Sequence, residues 1–219
     1  MAHWTTLDTE HGQVSAWHAT PNGAPRGGLV VIQEIFGVNP HIRDVAERYA
    51  AEGYEVLAPA FFDPVEKDVQ LDYGPEGFQK GRDLVGQLGF DKAVDIVRAA
   101  ATMLAPAGKV GTVGYCWGGS VALLAALRLG LPSVSYYGAR NTQFLDETPQ
   151  APVMFHFGAQ DKSIPPEAVQ QHREKLPQMQ TFVYPADHAF NRDGGPSYDE
   201  DSANSARERS LAFLAEHLR

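Results

Sequence analysis

The strongest constraint on the fold is a glycine-flanked cysteine that lies between a predicted strand and a predicted helix. Cys116 is the only cysteine of the chain, and it stands in the pattern Gly114-x-Cys116-x-Gly118. The apolar residues 110–113 before it predict a buried strand, and the apolar residues 121–129 after it predict a helix. A strand, a sharp turn and a helix in this order indicate a nucleophile elbow, in which the glycines leave room for the turn. The N-terminus of the helix favours a thiolate over a thiol.

The length, composition and charge indicate one globular domain. The chain has 219 residues, of which 43% are hydrophobic and 21% charged, so we expect a single domain over residues 1–219. A net charge of -9 argues against nucleic acid or an anionic membrane as the main partner. The N-terminus lacks a signal-peptide pattern, and no apolar run approaches the roughly 18 residues that span a bilayer. Since one cysteine permits no internal disulfide, we expect a cytoplasmic protein.

Predicted strands and helices alternate along the whole chain. The predicted strands are an edge strand at 13–19 and further strands at 28–33, 54–58, 110–115, 133–137, 153–157 and 181–184. The predicted helices are 40–51, 76–88, 91–104, 117–129, 166–176 and 202–218. Asn39 is expected to cap the first of these helices, and Gly53 to end it. The alternation predicts an α/β fold, with a mostly parallel central sheet and helices on both faces.

Two residues that follow later strands supply the base and the acid that a cysteine nucleophile needs. In enzymes built on this elbow, the nucleophile, the acid and the histidine follow in that chain order, each in a loop at the carboxyl end of a strand. Asp161 follows the predicted strand 153–157, and His188 follows the predicted strand 181–184. The sequence thus predicts a catalytic triad of Cys116, Asp161 and His188.

Each member of this triad has an alternative interpretation. A lone cysteine is more often a small core residue, but its place in the elbow favours the nucleophile. Asp161 could instead be a turn residue or the cap of the next helix. Asp187 is a rival acid, although its position next to His188 in the chain points it away from the imidazole ring.

The other histidines indicate no metal centre. His156 falls inside a predicted strand, and we expect a hydrogen-bonded core residue there. The remaining histidines are expected at the surface: His3, His11, His18, His41, His172 and His217. No group of His, Cys and carboxylate residues has the spacing of metal ligands, so we expect neither a metal nor another cofactor.

Three short segments are similar to those that mark a known enzyme family. They are Gln33-Glu-Ile-Phe-Gly-Val-Asn39, Gly114-Tyr-Cys-Trp-Gly-Gly119 and His188-Ala-Phe-Asn-Arg192. From about residue 12 to the C-terminus, the chain resembles the dienelactone hydrolases, or carboxymethylenebutenolidases, of the α/β-hydrolase superfamily. The resemblance implies an α/β-hydrolase fold and the opening of a lactone ring, as in the conversion of dienelactone to maleylacetate.

The resemblance assigns roles to Glu34 and to two backbone amides. In the family, the glutamate contacts the resting cysteine, keeps the thiol protonated, and takes the proton when a substrate binds. The alternative for Glu34 is a structural salt bridge to Arg43 or Arg192, since a buried carboxylate needs a partner. The oxyanion hole implied by the resemblance consists of the N–H groups of Ile35 and Trp117.

The resemblance also implies four substrate-binding residues, which are Arg192, Arg82, Phe36 and Tyr73. Arg192 lies four residues after His188, as does the arginine that binds the substrate carboxylate in the family. Arg82 matches the second family arginine only across gaps, and Tyr73 is a competing pocket residue. An exposed, helical Arg82 without a role is the alternative.

The sequence favours a cysteine-dependent hydrolase of a small lactone that bears a carboxylate. Catalysis is expected to pass through an acyl-thioester on Cys116. Trp117 and Ala189 depart from the family, which has a smaller apolar residue and a serine or glycine at these places, and both changes are expected to reshape the pocket. The alternative is therefore a broader carboxylesterase that acts on other small esters. A complete triad disfavours a binding module, and the lack of a second cysteine disfavours a thiol redox sensor.

Overall fold

Helices and strands alternate through the chain, which confirms the predicted α/β class. We describe residues 1–218 from a computed structural model, and they form two units, residues 1–112 with Leu218 and residues 113–217. The strands are β1 Ala2–Thr9, β2 Gly12–Ala19, β3 Gly28–Ile32, β4 Glu55–Pro59, β5 Val110–Tyr115, β6 Ser133–Tyr136, β7 Val153–Gly158 and β8 Gln180–Tyr184. The helices are α1 Pro40–Ala51, α2 Pro75–Leu104, α3 Trp117–Arg128, α4 Pro166–Lys175 and α5 Glu200–His217. Within residues 1–218, every helix is too short or too polar to cross a bilayer.

Four strands of the first unit lie in the order β1-β2-β4-β3. β3 and β4 are parallel, whereas β2 pairs antiparallel with both β1 and β4. All five residues of β3 are buried, which is typical of a strand covered on both faces. The prediction that residues 13–19 form an edge strand is wrong, because β1, which the sequence pattern missed, pairs along β2.

α1 begins and ends at the predicted residues, and α2 begins one residue before the predicted start. Oδ1 of Asn39 accepts a hydrogen bond from the first turn of α1, and Pro40 is the first residue of that helix. Gly53 has a φ of 98° and turns the chain after the helix. α2 is interrupted at Gly89, whose φ of 73° and ψ of 165° separate the two helices that the sequence predicts there.

The second unit contains the end of β5, from residue 113, and the strands β6, β7 and β8, which lie in the order β5-β6-β7-β8. β6, β7 and β8 are parallel to one another. β7 is buried along its whole length. Phe155 and Phe157 of β7 pack against His172 of α4, with ring centroids 4.8 Å apart in both pairs. His156, between them, forms a hydrogen bond with Ser210 of α5. Since successive side chains of a strand point to opposite faces, α4 and α5 cover opposite faces of β7.

Two histidines of the second unit are buried, of which the sequence predicted one. His156 is a hydrogen-bonded core residue, as predicted, but the prediction of a surface position for His172 is wrong, since this residue is 1% exposed. His172 shares a buried helix face with Val169 and Leu176, at spacings of three and four residues. Its Nδ1–H donates to the carbonyl oxygen of Ala168 at 2.7 Å. Burial lowers the pKa of both histidines, that of His156 to about 3.

Candidate active site

Cys116 occupies a sharp turn between β5 and α3. It is the N-cap of α3, and its φ of 55° and ψ of −119° are strained for a residue with a side chain. A Cβ atom on Gly114 would lie 1.8 Å from the carbonyl oxygen of Gly118, so only glycine fits there. The N–H of Cys116 donates to the carbonyl oxygen of Tyr136 at 3.1 Å and fixes the turn against β6. These features are those of the predicted nucleophile elbow.

Asp161 and His188 meet beyond the carboxyl ends of β7 and β8. Nδ1 of His188 donates to Oδ2 of Asp161 at 2.6 Å, and Oδ1 of Asp161 accepts the N–H of Ser163 at 2.8 Å. Asp161 is 4% exposed, whereas His188 is half-buried. A buried carboxylate held at both oxygens fixes the orientation of the ring and directs Nε2 away from itself.

Close packing of the backbone brings the loops of Asp161 and His188 together. A Cβ atom on Gly158 would lie 2.4 Å from the carbonyl oxygen of Ala186, so the loop after β8 passes directly over Gly158. The N–H of Gln160 donates to the same carbonyl at 2.9 Å. The sequence analysis missed this requirement for glycine at 158, although a glycine that ends a buried strand just before an acidic residue was a signal for it.

The rival acid, Asp187, binds the backbone. Its Oδ1 accepts the main-chain N–H of His188 at 2.6 Å. The imidazole ring forms its ion pair with Asp161. This geometry agrees with the preference for Asp161 that the sequence suggested.

The pKa of His188 is raised well above 6.5. Burial by itself lowers this pKa, but the negative charge of the Cys116 sulfur and the hydrogen bonds to Asp161 and Cys116 outweigh burial. Cys116, His188 and Asp161 therefore form a continuous chain of contacts. Such a chain can hold a thiolate beside an imidazolium, and it can activate either the sulfur or a water molecule.

Aromatic rings pack around His188. The ring of Tyr137 lies 5.0 Å from the imidazole between centroids, and the fully buried Phe190 lies 5.4 Å from Tyr137. Tyr137 and Ala189 have positive φ values of 39° and 63°, and left-handed backbone costs roughly 1–2 kcal/mol for a residue with a side chain. A glycine at position 189 would adopt this φ without strain. The sequence analysis missed Tyr137, which no motif marks.

Trp117 and Arg192 are the other candidate residues of the second unit. Trp117 is buried and is the first residue of α3. Amide N–H groups in the first turn of a helix have no acceptor within their own helix, so they can donate to the oxyanion of a substrate. Arg192 is half-buried, and its N–H donates to the carbonyl oxygen of Ala189 at 2.9 Å, which closes a turn after His188.

In the first unit, a buried glutamine holds the segment that follows β3. Nε2 of Gln33 donates to the carbonyl oxygen of Glu34 at 3.2 Å, and Oε1 of Gln33 accepts the N–H of Phe61 at 3.2 Å. Gln33 and Glu34 are both buried. Gln33 therefore joins the loop of Glu34 and Ile35 to the end of β4. The sequence analysis used Gln33 only as part of a motif and missed this structural role.

Phe36 and Tyr73, two predicted substrate-binding residues, contact each other in the first unit. Their ring centroids are 4.8 Å apart and their planes are at 85°. Phe36 is buried and Tyr73 is exposed, with its hydroxyl accepting a hydrogen bond from Nδ2 of Asn39 at 3.0 Å. A Cβ atom on Gly37 would lie 2.0 Å from the carbonyl oxygen of Val69, so glycine allows the close approach of the two segments.

Arg82, the remaining predicted substrate-binding residue, lies exposed on α2. Its guanidinium is 5.9 Å from the ring of Phe78, which is also exposed. The neighbouring Gly81 faces Ile35, because a Cβ atom on Gly81 would lie 2.2 Å from the carbonyl oxygen of Ile35. A role for Arg82 in substrate binding stays a prediction.

The elbow and the alternating strands and helices are those of an α/β-hydrolase. The sequence profile of the Dienelactone hydrolase family matches residues 14–218, so the chain belongs to the dienelactone hydrolase family. The chain is 34% identical to a protein of Synechocystis sp. assigned as a carboxymethylenebutenolidase, over 98% of this chain and 96% of that protein. It is 32% identical to the carboxymethylenebutenolidase of Pseudomonas putida, over 90% of this chain and 88% of that protein.

The fold is also that of a solved family member. A crystal structure of a protein from Klebsiella pneumoniae, assigned as a dienelactone hydrolase, matches with a TM-score of 0.87 and 31% identity over 99% of both chains. These matches confirm the predicted family and fold. The chain is therefore a carboxylic ester hydrolase that acts on a lactone or ester.

Proposed function

We propose that the protein opens a small lactone of the dienelactone type through Cys116, His188 and Asp161. The observation that carries this proposal is the continuous contact from buried Asp161 through His188 to Cys116 on its strained turn. Nucleophile, base and orienting acid are adjacent, which is the arrangement that covalent acyl transfer needs.

The first half of the reaction attaches the substrate to the enzyme. The Cys116 thiolate attacks the lactone carbonyl, and the tetrahedral intermediate collapses with cleavage of the ring C–O bond. The ring oxygen leaves as an enolate, which takes the proton of the His188 imidazolium and becomes a ketone, so that His188 is left neutral. The acyl part of the opened ring remains as a thioester on Cys116. An enolate leaves easily, so a thiolate is a sufficient nucleophile here, whereas it would be a poor one for an amide.

The second half of the reaction releases the diacid. His188, oriented by Asp161, takes a proton from water while the water oxygen attacks the thioester carbonyl. The C–S bond breaks, the second carboxylate is formed, and Cys116 returns as a thiolate beside the protonated His188. The new carboxyl group loses its proton to solvent, and the cycle ends with the thiolate and imidazolium with which it began.

Glu34, Ile35 and Trp117 have supporting roles in this proposal, which follow from the family resemblance. Where Cys116 is a thiol, the buried Glu34 takes its proton when the substrate binds. The N–H groups of Ile35 and Trp117 stabilise the oxyanion, and such donors contribute about 3 kcal/mol each.

The substrate of this proposal is a small molecule with a carboxylate. Arg192 binds that carboxylate, Arg82 assists it, and Phe36 and Tyr73 contact the apolar part of the substrate. A second candidate function is a broader carboxylesterase. The bulky Trp117 next to the nucleophile favours it, because the family usually has a smaller residue there.

We also propose that the two units form one domain and that the protein works in the cytoplasm. The family match runs through both units, from residue 14 to residue 218. A nucleophile that is the only cysteine of the chain must stay reduced, and cytoplasmic thiols are kept in that state.

The experiment that tests the substrate class compares dienelactone isomers with a neutral lactone and with p-nitrophenyl acetate, on wild-type protein and on Arg192→Ala. We expect the highest kcat/KM for dienelactone, and Arg192→Ala to raise KM for the acidic lactone only. Arg98→Ala is the matched control, since Arg98 is exposed and pairs with Asp95. Turnover of aryl esters with none of dienelactone would support the carboxylesterase instead, and equal losses on acidic and neutral substrates would make Arg192 a structural residue.

A further inference from the structure

A chain of four buried side chains, which ends at one exposed arginine, joins α5 to three parallel strands in the second unit. It consists of Arg209, Tyr184, His156, Ser210 and Tyr136, and we call it the His156 network. Arg209 Nη1 lies 2.9 Å from the hydroxyl of Tyr184, and that hydroxyl lies 2.9 Å from Nδ1 of His156. Nε2 of His156 lies 3.0 Å from Oγ of Ser210, and the hydroxyl of Tyr136 lies 2.8 Å from the same Oγ.

For an uncharged His156, only one assignment of protons satisfies every contact of this network. Oγ of Ser210 donates its single proton to the carbonyl oxygen of Ala206 at 2.8 Å, because a carbonyl can only accept. Ser210 must then accept from both Tyr136 and Nε2–H of His156. Nδ1 of His156 is left as an acceptor, and it receives the hydroxyl proton of Tyr184, which in turn accepts from the guanidinium of Arg209.

The surroundings of His156 keep this assignment in force across the neutral pH range. Burial, and secondly the positive charge of Arg209, lower the pKa of His156 to about 3. The imidazole is therefore uncharged, with one donor and one acceptor, each with a partner. A fully satisfied buried network of this kind rigidifies the elements that it joins.

Three members of the network also hold the candidate catalytic residues through their main chains. The carbonyl of Tyr136 accepts the N–H of Cys116 at 3.1 Å. The carbonyl of His156 accepts the N–H of Tyr137 at 2.8 Å, and the ring of Tyr137 packs on the catalytic imidazole. The carbonyl of Tyr184 accepts the N–H of Ala159, in the loop of Asp161, at 2.7 Å. It also accepts the N–H of Ala186, in the loop of His188, at 2.8 Å.

We infer that the His156 network is a positioning device for the hydrolysis. It locks the carboxyl ends of β6, β7 and β8 to one another, so that the elbow of Cys116 and the loops of Asp161 and His188 keep their mutual geometry. Its members do not touch the substrate in this inference, which rests on the proposed function of those three residues. Displacements well below an ångström matter at such a site, since a misplacement of 1 Å can cost about a hundredfold in rate.

Tyr184→Phe and Ser210→Ala test this inference, because they remove hydroxyls on opposite sides of His156 and leave the surrounding packing in place. Each variant is expected to lower kcat for p-nitrophenyl acetate about tenfold with little change in KM. In the double variant, the loss is expected to be close to that of the larger single loss, because both substitutions break the same network. Rates are measured well below the melting temperature of each variant.

His172→Phe is the matched control, since His172 is buried on the opposite face of β7 and belongs to no part of the network. We expect it to lower the melting temperature without lowering kcat. Equal losses of kcat in the control and in the network variants, or wild-type kcat in both network variants, would overturn the inference. Cys116→Ala distinguishes a failure of this inference from a failure of the proposed function. An active Cys116→Ala protein would contradict the proposed function. An inactive Cys116→Ala protein, together with fully active network variants, would contradict only the positioning role of the His156 network.

Discussion

Oδ2 of Asp161 lies 2.6 Å from Nδ1 of His188, although the two residues come from loops after different strands. The other carboxylate oxygen of Asp161 is occupied by the N–H of Ser163. The carboxylate can therefore neither rotate nor leave the ring without losing a hydrogen bond in a buried site. The imidazole is held in one orientation before any substrate arrives.

Replacing Asp161 by Asn tests whether this carboxylate orients the base. The amide preserves the shape but removes the charge that holds the imidazolium, so kcat is expected to fall by about 10⁴-fold. Asp187→Asn is the matched control, because Asp187 binds the main-chain N–H of His188 rather than the ring. We expect the control to retain most of the activity in steady-state ester hydrolysis. The reverse ranking of the two variants would show that Asp187 is the acid.

The raised pKa of His188 gives a second prediction, which NMR titration of the imidazole checks. Wild-type His188 is expected to titrate well above 6.5, and Cys116→Ala to lower that pKa, because the substitution removes the negative charge beside the ring. A pKa raised in the folded state means that this interaction stabilises the fold fully below pH 6.5 and is lost as the pH rises through the folded pKa. An unchanged titration in Cys116→Ala would show that the sulfur does not interact with the ring.

The buried neutral histidines predict a loss of stability in acid. The folded pKa values of His156 and His172 are lowered, so their contribution is present above about pH 6.5 and is lost as the pH falls towards the folded values. Each suppressed protonation adds up to about 1.4 kcal/mol per pH unit to the slope of the unfolding free energy. The free energy of unfolding is measured with urea between pH 7 and pH 5. It is expected to depend less steeply on pH for His172→Phe than for wild type. Identical slopes would show that His172 titrates alike in both states.

Gly114→Ala is expected to destroy the elbow. The new Cβ atom would lie 1.8 Å from the carbonyl oxygen of Gly118, so the backbone on one side of Cys116 must move. The expected result is an inactive protein with a lowered melting temperature. Gly86→Ala is the control: this glycine lies inside α2 with no atom within 4 Å of an added Cβ, and alanine there is expected to stabilise the helix by up to about 1 kcal/mol. A fully active Gly114→Ala protein would contradict the elbow geometry.

The sequence predicted most of the fold because buried strands and capped helices carry local signals. It missed β1, in which the apolar Trp4 and Leu7 stand among polar residues and form no apolar run, and it therefore took β2 for an edge. It also placed His172 at the surface, since its neighbours along the helix are polar. The spacing of Val169, His172 and Leu176 indicates that the three residues share one face of the helix. This spacing, rather than the polarity of the adjacent residues, was the signal for a buried His172.

The candidate residues Cys116, Asp161 and His188 could be predicted from the sequence because each of them lies in a short segment that follows a predicted strand. Contacts between distant segments left no mark in the local pattern. Gly158 is needed because another loop crosses it, and Tyr137 matters because its ring reaches His188 from a strained backbone. Such residues depend on tertiary packing, which the sequence order does not display.

The nucleophile is tested most directly by the turnover of p-nitrophenyl acetate by Cys116→Ala. The account predicts a loss of at least about 10³-fold in kcat/KM in a protein that is still folded, since the sulfur forms the covalent intermediate. Because Cys116 is the only cysteine, iodoacetamide is expected to inactivate the wild-type protein with one label per chain. Turnover by Cys116→Ala within tenfold of wild type would contradict the assignment of Cys116 as the nucleophile.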